Sequence, residues 1–580
     1  MEDNMNDSFS ILYPYKSETT YKQLSAETLH DLGLDMIIKS LTDDGREQKM
    51  ITNVISQMTA DPRVCEYRQK VFADILALPE LRTKMTELFD KMEFIRNFGS
   101  MHKSSDEELG LWHLFHRLDE LGDYIKCVEA MRECLSDERI QSQGLTDLRE
   151  NINELYDEAY FAEMKKDIAA LKLKASDVQS VTLGINVNER FEAVSMGLVS
   201  VNSKPFKKSG IVSNFADALS NKDKINDTSD WDGDMHYHQI DKQNTANVAS
   251  FIEKFGGFNA VRNNSFVDGR IRATVVRTPD DDGASNSTFY LETILNKMLG
   301  SLVKKLRDTL TKYANVAIVN ISQLIPEFVY YIRFAEFIGR LTDAGARFCE
   351  ANVAGEGGSD MEARGLYNLR LAVNLEDKSE IVPNDLDFDA DHMLYILTGA
   401  NRGGKTTITQ AVGQLYVLAQ GGISVPAEGF TYRPVDCIYT HFPADEDKTM
   451  DLGRLGEECI RFKEIYNECT ADSLVLMNET FSTTSFEEGY YIARDSVRAL
   501  MEKRVRTIYN THMHKLASDA DELNRITGGA KASSLIMKSD GGKRSFRVEV
   551  ASPEGSSYAS DIAKKYGVTY EMLTGSKTEE

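Results

Sequence analysis

The chain has 580 residues but only 11 prolines, far below the usual share of about 5%. Low proline suits long helices, because a proline inside a helix removes an amide donor and breaks it. The seven cysteines are scattered and no two form a C-x-x-C pair. That pattern argues against a disulfide framework and predicts a reducing, cytoplasmic compartment. No apolar run approaches the ~18 residues of a membrane-crossing helix, and the acidic start MEDNMNDSFS does not read as a secretory signal. No membrane partner is expected. Basic charge is also short: Lys plus Arg is 67 against 91 Asp plus Glu, a net charge of 67 − 91 = −24. A globally basic nucleic-acid binder is excluded, although a local basic face is not.

What is present is globular. Apolar residues make up 42% and charged residues 27%, close to the soluble average. The length suggests about four domains or lobes, with enough chain to bury large cores without disulfides or metal. Residues 1–25 read as an N-terminal tail. Residues 26–175 read as helical, with Leu148, Ile152, Leu155 and Ala159 on one face. Residues 176–287 change to a Val-, Gly-, Asn- and Ser-rich composition with β-like runs such as IRATVVRT (271–278), an inserted α/β segment. Helix returns over 288–380. There Leu291, Leu295, Met298, Leu302, Leu306, Leu310 and Tyr313 continue one stripe, and a second helix follows Pro326. From 381 to 580 strands and helices alternate, which predicts an α/β domain. The fold class is therefore α/β plus mainly-α.

The chemistry concentrates in this last region. The apolar run Met393–Leu397 enters Gly399-Ala400-Asn401-Arg402-Gly403-Gly404-Lys405-Thr406, followed by Thr407. This is a complete G-x-x-x-x-G-K-T phosphate loop. Its glycines let backbone amides close around phosphate oxygens, and the helix starting near Lys405 aims its positive end at them. Lys405 neutralises the β- and γ-phosphates, and the Thr406 hydroxyl serves Mg²⁺; the expected ligands are ATP and Mg²⁺. Downstream, SLVLMNETF (473–481) reads as a buried strand ending in Glu479, which would orient or deprotonate the attacking water. Its neighbour is Asn478, where such strands usually carry Asp. Asn accepts a hydrogen bond but brings no charge to the Mg²⁺ water shell, so weaker Mg²⁺ binding or slower turnover is expected. A third strand-like run ends in Thr511-His512, which places His512 to touch the γ-phosphate.

In this order the pieces resemble the ATPase domain of the MutS family of DNA mismatch-repair proteins. TGANRGGKTT carries the family's double glycine, LAQGGISVPAEGF (418–430) its V-P-A turn, and NTHMHKLA (510–517) its switch histidine. IYTHFPADEDKTMDLGRLGEEC (438–459) occupies the signature segment, and GSSYASDIAKKYGV (555–568) resembles the small-residue motif near the end of the domain. Upstream, DLGLDMIIKSL (31–41) and DPRVCEYRQKVFADIL (61–76) look like the start of the MutS core, which leaves no room for the N-terminal mismatch-reading and connector domains.

The resemblance implies an ABC-type ATPase that dimerises head to tail, as a homodimer or with a MutS-like paralogue. Lever helices would carry ATP-driven closure to a DNA clamp at 176–287. In the signature segment Gly453-Arg454 stands where the family has Ser-Thr. Arg454 either reaches a partner's γ-phosphate or is an exposed arginine at a helix start. In the clamp position Lys204, Lys207, Lys208, Arg270 and Arg272 could meet DNA phosphates, yet Asp217, Asp223, Asp227, Asp230, Asp232, Asp234 and Asp241 lie in the same segment and a solvated face is the alternative. The spaced acids and histidines of DTSDWDGDMHYH (227–238) lack the pattern of a Ca²⁺ loop. Three functions follow: a DNA-repair or recombination ATPase acting on branched, mismatched or duplex DNA, an ATP-driven switch or scaffold acting on a protein partner, and a nucleotide binder with little hydrolysis.

Overall fold

A computed structural model of the chain describes residues 9–14, 19–99, 111–175, 180–187, 189, 193–202, 300–313, 324–355, 359–400, 402–443, 453–540, 543–553 and 566–574. The chain divides into two compact units, Met1–Phe89 with Glu133–Glu150 and Val319–Glu580, and Asp90–Arg132 with Asn151–Ile318. The strands in chain order are β1 (Lys22–Gln23), β2 (Gln57–Met58), β3 (Ser180–Val187), β4 (Ala193–Asn202), β5 (Ala351–Val353), β6 (Met361–Leu366), β7 (Asn384–Phe388), β8 (Leu394–Thr398), β9 (Gly429–Tyr432), β10 (Ile438–His441), β11 (Leu474–Asn478), β12 (Arg506–Asn510), β13 (Ala532–Asp540) and β14 (Lys543–Val550).

The second unit is helical with one hairpin. β3 and β4 pair antiparallel, at the start of the segment read as β-containing. The helix Ala159–Ala175 buries Phe161, Met164, Ile168 and Leu171, at the i, i+3, i+7, i+10 spacing of one helical face. Tyr124 and Tyr156 pack their rings on Phe161. The helix Gly300–Lys312 runs beside it, with the Tyr313 hydroxyl donating to Asp167 at 2.8 Å. One expected stripe is interrupted: Leu148 and Ile152 are buried, but their helix ends at Asp157. Ala159 opens the next helix and is exposed, because the break restarts the helical register. The second returning helix, Ile325–Asp343 with Pro326 in its first turn, belongs to the first unit.

The first unit is built on a six-stranded sheet in the order β10-β11-β12-β8-β13-β14. Its first five strands are parallel, and β14 turns back antiparallel on β13. Leu394 and Ile396 of β8, Val475 and Met477 of β11 and Tyr509 of β12 face one core. Val497, Leu500 and Met501 of the helix Phe486–Lys503 and Leu516 and Leu523 close it. A second sheet, in the order β5-β9-β6-β7, has two strands, β5 and β6, that precede residue 381. Mixed strand-helix structure thus begins among the residues expected to be returning helix.

The other face of the parallel sheet carries the helix Lys405–Gln420, and from Ala411 to Gln420 every residue of it is buried. Gly413 makes that packing possible, since a Cβ there would stand 2.4 Å from Leu32 Cδ2 and 2.9 Å from Leu476 Cδ1. Three glutamines of this helix, half-buried Gln410 and buried Gln414 and Gln420, bond to backbone elsewhere in the chain. Gln410 Nε2 donates to Asp31 O at 2.7 Å, and Gln414 Nε2 donates to Leu32 O at 2.8 Å. Gln420 Nε2 donates to Thr59 O and Val435 O, while its Oε1 accepts from Val435 N. The fully buried Arg68 donates to Gln420 O at 2.8 Å and to Leu12 O at 3.1 Å. Among the described residues no helix is long and apolar enough to cross a membrane.

Replacing Gln420 by Ala would leave one buried amide and two buried carbonyls without their partner. At about 1–3 kcal/mol per stranded group, the loss should be roughly 3 kcal/mol or more, read as a fall in the urea unfolding midpoint. An unchanged midpoint would show that these bonds do not hold the helix in place.

Candidate functional site

The phosphate loop leaves β8 at Gly399, whose φ of 145° is open to glycine and whose absent side chain avoids Met537 Cβ, 2.7 Å from where a Cβ would stand. Gly403 N donates to Ala400 O at 3.0 Å, closing the turn. Gly404, with φ 98°, precedes the first residue of the helix. Arg402 holds the left-handed region at φ 59°, a strained setting for a side-chain-bearing residue. Lys405 is buried and donates to Gly399 O at 3.1 Å and Ala400 O at 3.4 Å. Burial lowers its pKa and the Glu479 charge partly restores it.

The sheet order brings the other residues to this loop. β12 lies between β8 and β11, so the carboxyl ends of β11 and β12 flank the loop, at the strand ends where open α/β sheets bind ligands. β11 delivers Asn478 and Glu479, and β12 delivers Asn510 with His512 two residues on. His512 Nε2 stands 2.7 Å from Glu479 Oε1. That hydrogen bond, ahead of the opposing effect of burial and joined by the charges of His512 and Lys405, holds the Glu479 pKa below the usual glutamate value. Glu479 is therefore a charged acceptor, suited to orienting a water more than to storing its proton. Asn478 Oδ1 accepts from the Thr406 hydroxyl at 2.9 Å and also from Asn510 Nδ2. Oxygen donors of this kind suit Mg²⁺, so the residues fit the cation.

These groups line one end of a cleft of about 610 Å³, within the size range of small-ligand sites. Tyr367, Leu371, Leu375, Val382 and Phe546 line the rest, an apolar end that could receive a flat base. Phe546 is held at φ 57°, and Asn384 braces it by donating to Phe546 O at 3.1 Å and accepting from Val548 N at 2.8 Å. Asn368 Nδ2 donates to Thr407 O at 2.9 Å. These residues come from the end of β6, the helix Leu369–Asn374 that follows it, the loop before β7, β7 itself and β14, and no local spacing in the sequence marks them.

Gly453 and Arg454 lie at the start of the helix Arg454–Glu468 and do not line the cleft; Arg454 is exposed. Asn401, Lys204, Lys207, Lys208, Arg270, Arg272, the 227–238 run and most of 555–568 lie outside the described residues.

Comparison with known proteins agrees with this geometry. A family model of MutS domain V matches residues 395–578, and one of the MutS2 N-terminal domain matches 60–343. The chain belongs to the MutS family. Among its relatives, the DNA mismatch repair protein MutS of Methanococcoides burtonii is 31% identical over 201 residues, 34% of this chain and 22% of that protein. That of Desulforamulus reducens is 32% identical over 207 residues, 35% of this chain and 23% of that protein. Endonuclease MutS2 of Finegoldia magna is 26% identical over 308 residues, 51% of this chain and 38% of that protein. The matched stretch spans well under half the length of these curated relatives.

Within this MutS-family site the neutral Asn478 invites a direct test. Asn478→Asp adds one negative charge beside Thr406 and should lower the Mg²⁺ concentration needed for half-maximal binding of a fluorescent ATP analogue several-fold. An unchanged Mg²⁺ midpoint would show that the missing charge does not limit cation binding.

A second test concerns His441, at the end of β10. Its ring is buried, and burial pushes its pKa down to about 4 from the ordinary 6.5. A depressed histidine pKa means that the unfolded chain binds the extra proton first. The native state should lose stability as pH falls from about 6.5, by up to roughly 3 kcal/mol near pH 4. Unfolding midpoints measured against pH should fall less steeply in His441→Phe; equal slopes would refute this reading.

Proposed function

We propose that this MutS-family chain binds and hydrolyses ATP and uses the cycle to change its grip on DNA during repair or recombination. The observation that carries the reading is the Glu479–His512 pair, 2.7 Å apart, at the mouth of the phosphate loop. In the hydrolytic step the amides of residues 402–406 and Lys405 hold the phosphates. Glu479 takes the hydrogen bond of the attacking water, and His512 steadies that carboxylate beside the γ-phosphate. Mg²⁺ held near Thr406 and Asn478 would spread the charge that develops on the phosphate oxygens. ATP binding then closes a head-to-tail dimer of two such chains, with each signature segment, Gly453 and Arg454 included, facing the other chain's nucleotide. The helices on either side of 176–287 act as levers, and that segment acts as the clamp. Lys204, Lys207, Lys208, Arg270 and Arg272 are the proposed phosphate contacts. The relatives' names, DNA mismatch repair protein and endonuclease, support a DNA substrate.

The net charge of −24 favours a second reading, in which the same ATPase cycle acts on a protein partner. Steady-state ATP hydrolysis separates the two. The purified chain should turn over ATP, and Glu479→Gln should slow it at least ~100-fold. Homoduplex, single-mismatch duplex or four-way junction DNA should change the rate several-fold. Turnover indifferent to all three would transfer the function to a protein partner, and turnover that survives Glu479→Gln would remove Glu479 from the mechanism.

A further inference from the structure

We infer that His441 and Glu458 form a positioning link between the helix Arg454–Glu468 and the turn that carries Glu479, so that the setting of this helix fixes where the Glu479 carboxylate points. The inference rests on the proposed role of Glu479 in hydrolysis.

The turn after β11 is strained. Glu479 at φ 53° and Phe481 at φ 60° both hold the left-handed region, which costs a side-chain-bearing residue about 1–2 kcal/mol. Such a turn persists only if its surroundings hold it. Glu479 N donates to Asn510 O at 2.8 Å; the other restraints come from β10 and from the helix. His441 ends the edge strand β10, in register with Met477 of β11. Its buried ring stays neutral, so one nitrogen donates and the other accepts. Nε2 lies 3.0 Å from Glu458 O, which can only accept, so Nε2 carries the proton. Nδ1 is then an acceptor, and the buried Thr480 hydroxyl shares its single proton between Nδ1 at 3.2 Å and the His441 carbonyl at 3.2 Å.

Glu458 reaches the same turn a second time. Its carboxylate faces the Phe481 amide and the Thr483 hydroxyl, and its Oε2 is buried without a partner. Phe462, one helical turn further on, packs edge-on against Phe481 with ring centroids 5.9 Å apart. On the same face Arg461 ties the helix to the residues flanking His441, donating to Phe442 O at 3.0 Å and Thr440 O at 3.1 Å, and also to Asp31 Oδ2 at 3.2 Å. Thr480 directly follows Glu479, so through the imidazole a shift of Glu458 reaches the backbone next to the water-orienting carboxylate, while the Glu458 carboxylate and Phe462 bear on Phe481 two residues on. His441 does not itself line the cleft. It is a positioning residue.

The test separates binding from turnover in the full chain. His441→Phe keeps the ring and removes both hydrogen bonds. Its kcat should fall about 10–100-fold, as a misplaced catalytic group predicts, while the Kd for a fluorescent ATP analogue stays within about threefold. His441→Gln keeps a donor for Glu458 O and should recover most of the rate. Thr480→Val removes one hydroxyl at nearly constant volume and should slow turnover in the same way. The double variant should be no slower than the slower single, because both cut one path. Unchanged kcat in His441→Phe and Thr480→Val, with Glu479→Gln inactive, would overturn the link and leave the ATPase reading standing. A rate loss matched by lost ATP binding, or no rescue by His441→Gln, would also overturn it. Hydrolysis that survives Glu479→Gln, or no turnover in the unaltered chain, would remove the ATPase reading and the link together.

Discussion

The candidate site depends on a helix that is buried from Ala411 to its last residue. On the proposed reading the first turn of this helix, Lys405–Gln420, aims its positive end at the phosphates. A helix dipole acts most strongly where solvent does not screen it. Burial of that helix also creates an obligation, because its glutamines carry amides that need partners in the interior. The N-terminal residues meet it. Asp31, Leu32 and Thr59 offer their carbonyls, and Arg68 caps Gln420 O at the far end. The N-terminal helices are therefore part of the phosphate site's scaffold, although none of them lines the cleft.

Strain gathers where the chemistry is. Of the five side-chain-bearing residues with left-handed φ among those described, Arg402, Glu479 and Phe546 line the cleft and Phe481 sits beside it. Each setting is unfavourable alone, and restraints are evident for Phe546, Glu479 and Phe481. Asn384 holds Phe546, and the Asn510 carbonyl holds Glu479. One ordinary-looking strand asparagine, Asn384, thus braces the site through its side chain, while a backbone carbonyl does the same for Glu479.

That explains what the sequence could and could not disclose. The phosphate loop, Glu479 and His512 were legible because each follows a short apolar run, and parallel strands deliver their ends to one edge. The order of β8, β12 and β11 turned three separated segments into one site. Phe546, Asn384, Asn368 and His441 were not legible, because their partners lie far along the chain. His441 reads only as one polar residue after a strand, and its meaning depends on Glu458 and Thr480 arriving on either side of its ring. The interrupted stripe at Ala159 failed for a local reason: one break between two helices resets the face, and periodicity alone does not see the break.

Asn478 separates two duties that one carboxylate usually combines. An acceptor at the end of β11 orients the Thr406 hydroxyl by taking its proton in a hydrogen bond, which leaves the hydroxyl oxygen's lone pairs to face a cation. Asn478 Oδ1 does this at 2.9 Å, and Asn510 Nδ2 donates to the same oxygen, which fixes which way the amide faces. The geometry of an acidic residue is kept while its charge is lost. The remaining negative charge at the strand end is Glu479, already paired with His512. On the proposed reading, electrostatic attraction for Mg²⁺ would then come largely from the nucleotide's own phosphates, so that cation and nucleotide would arrive as one ligand.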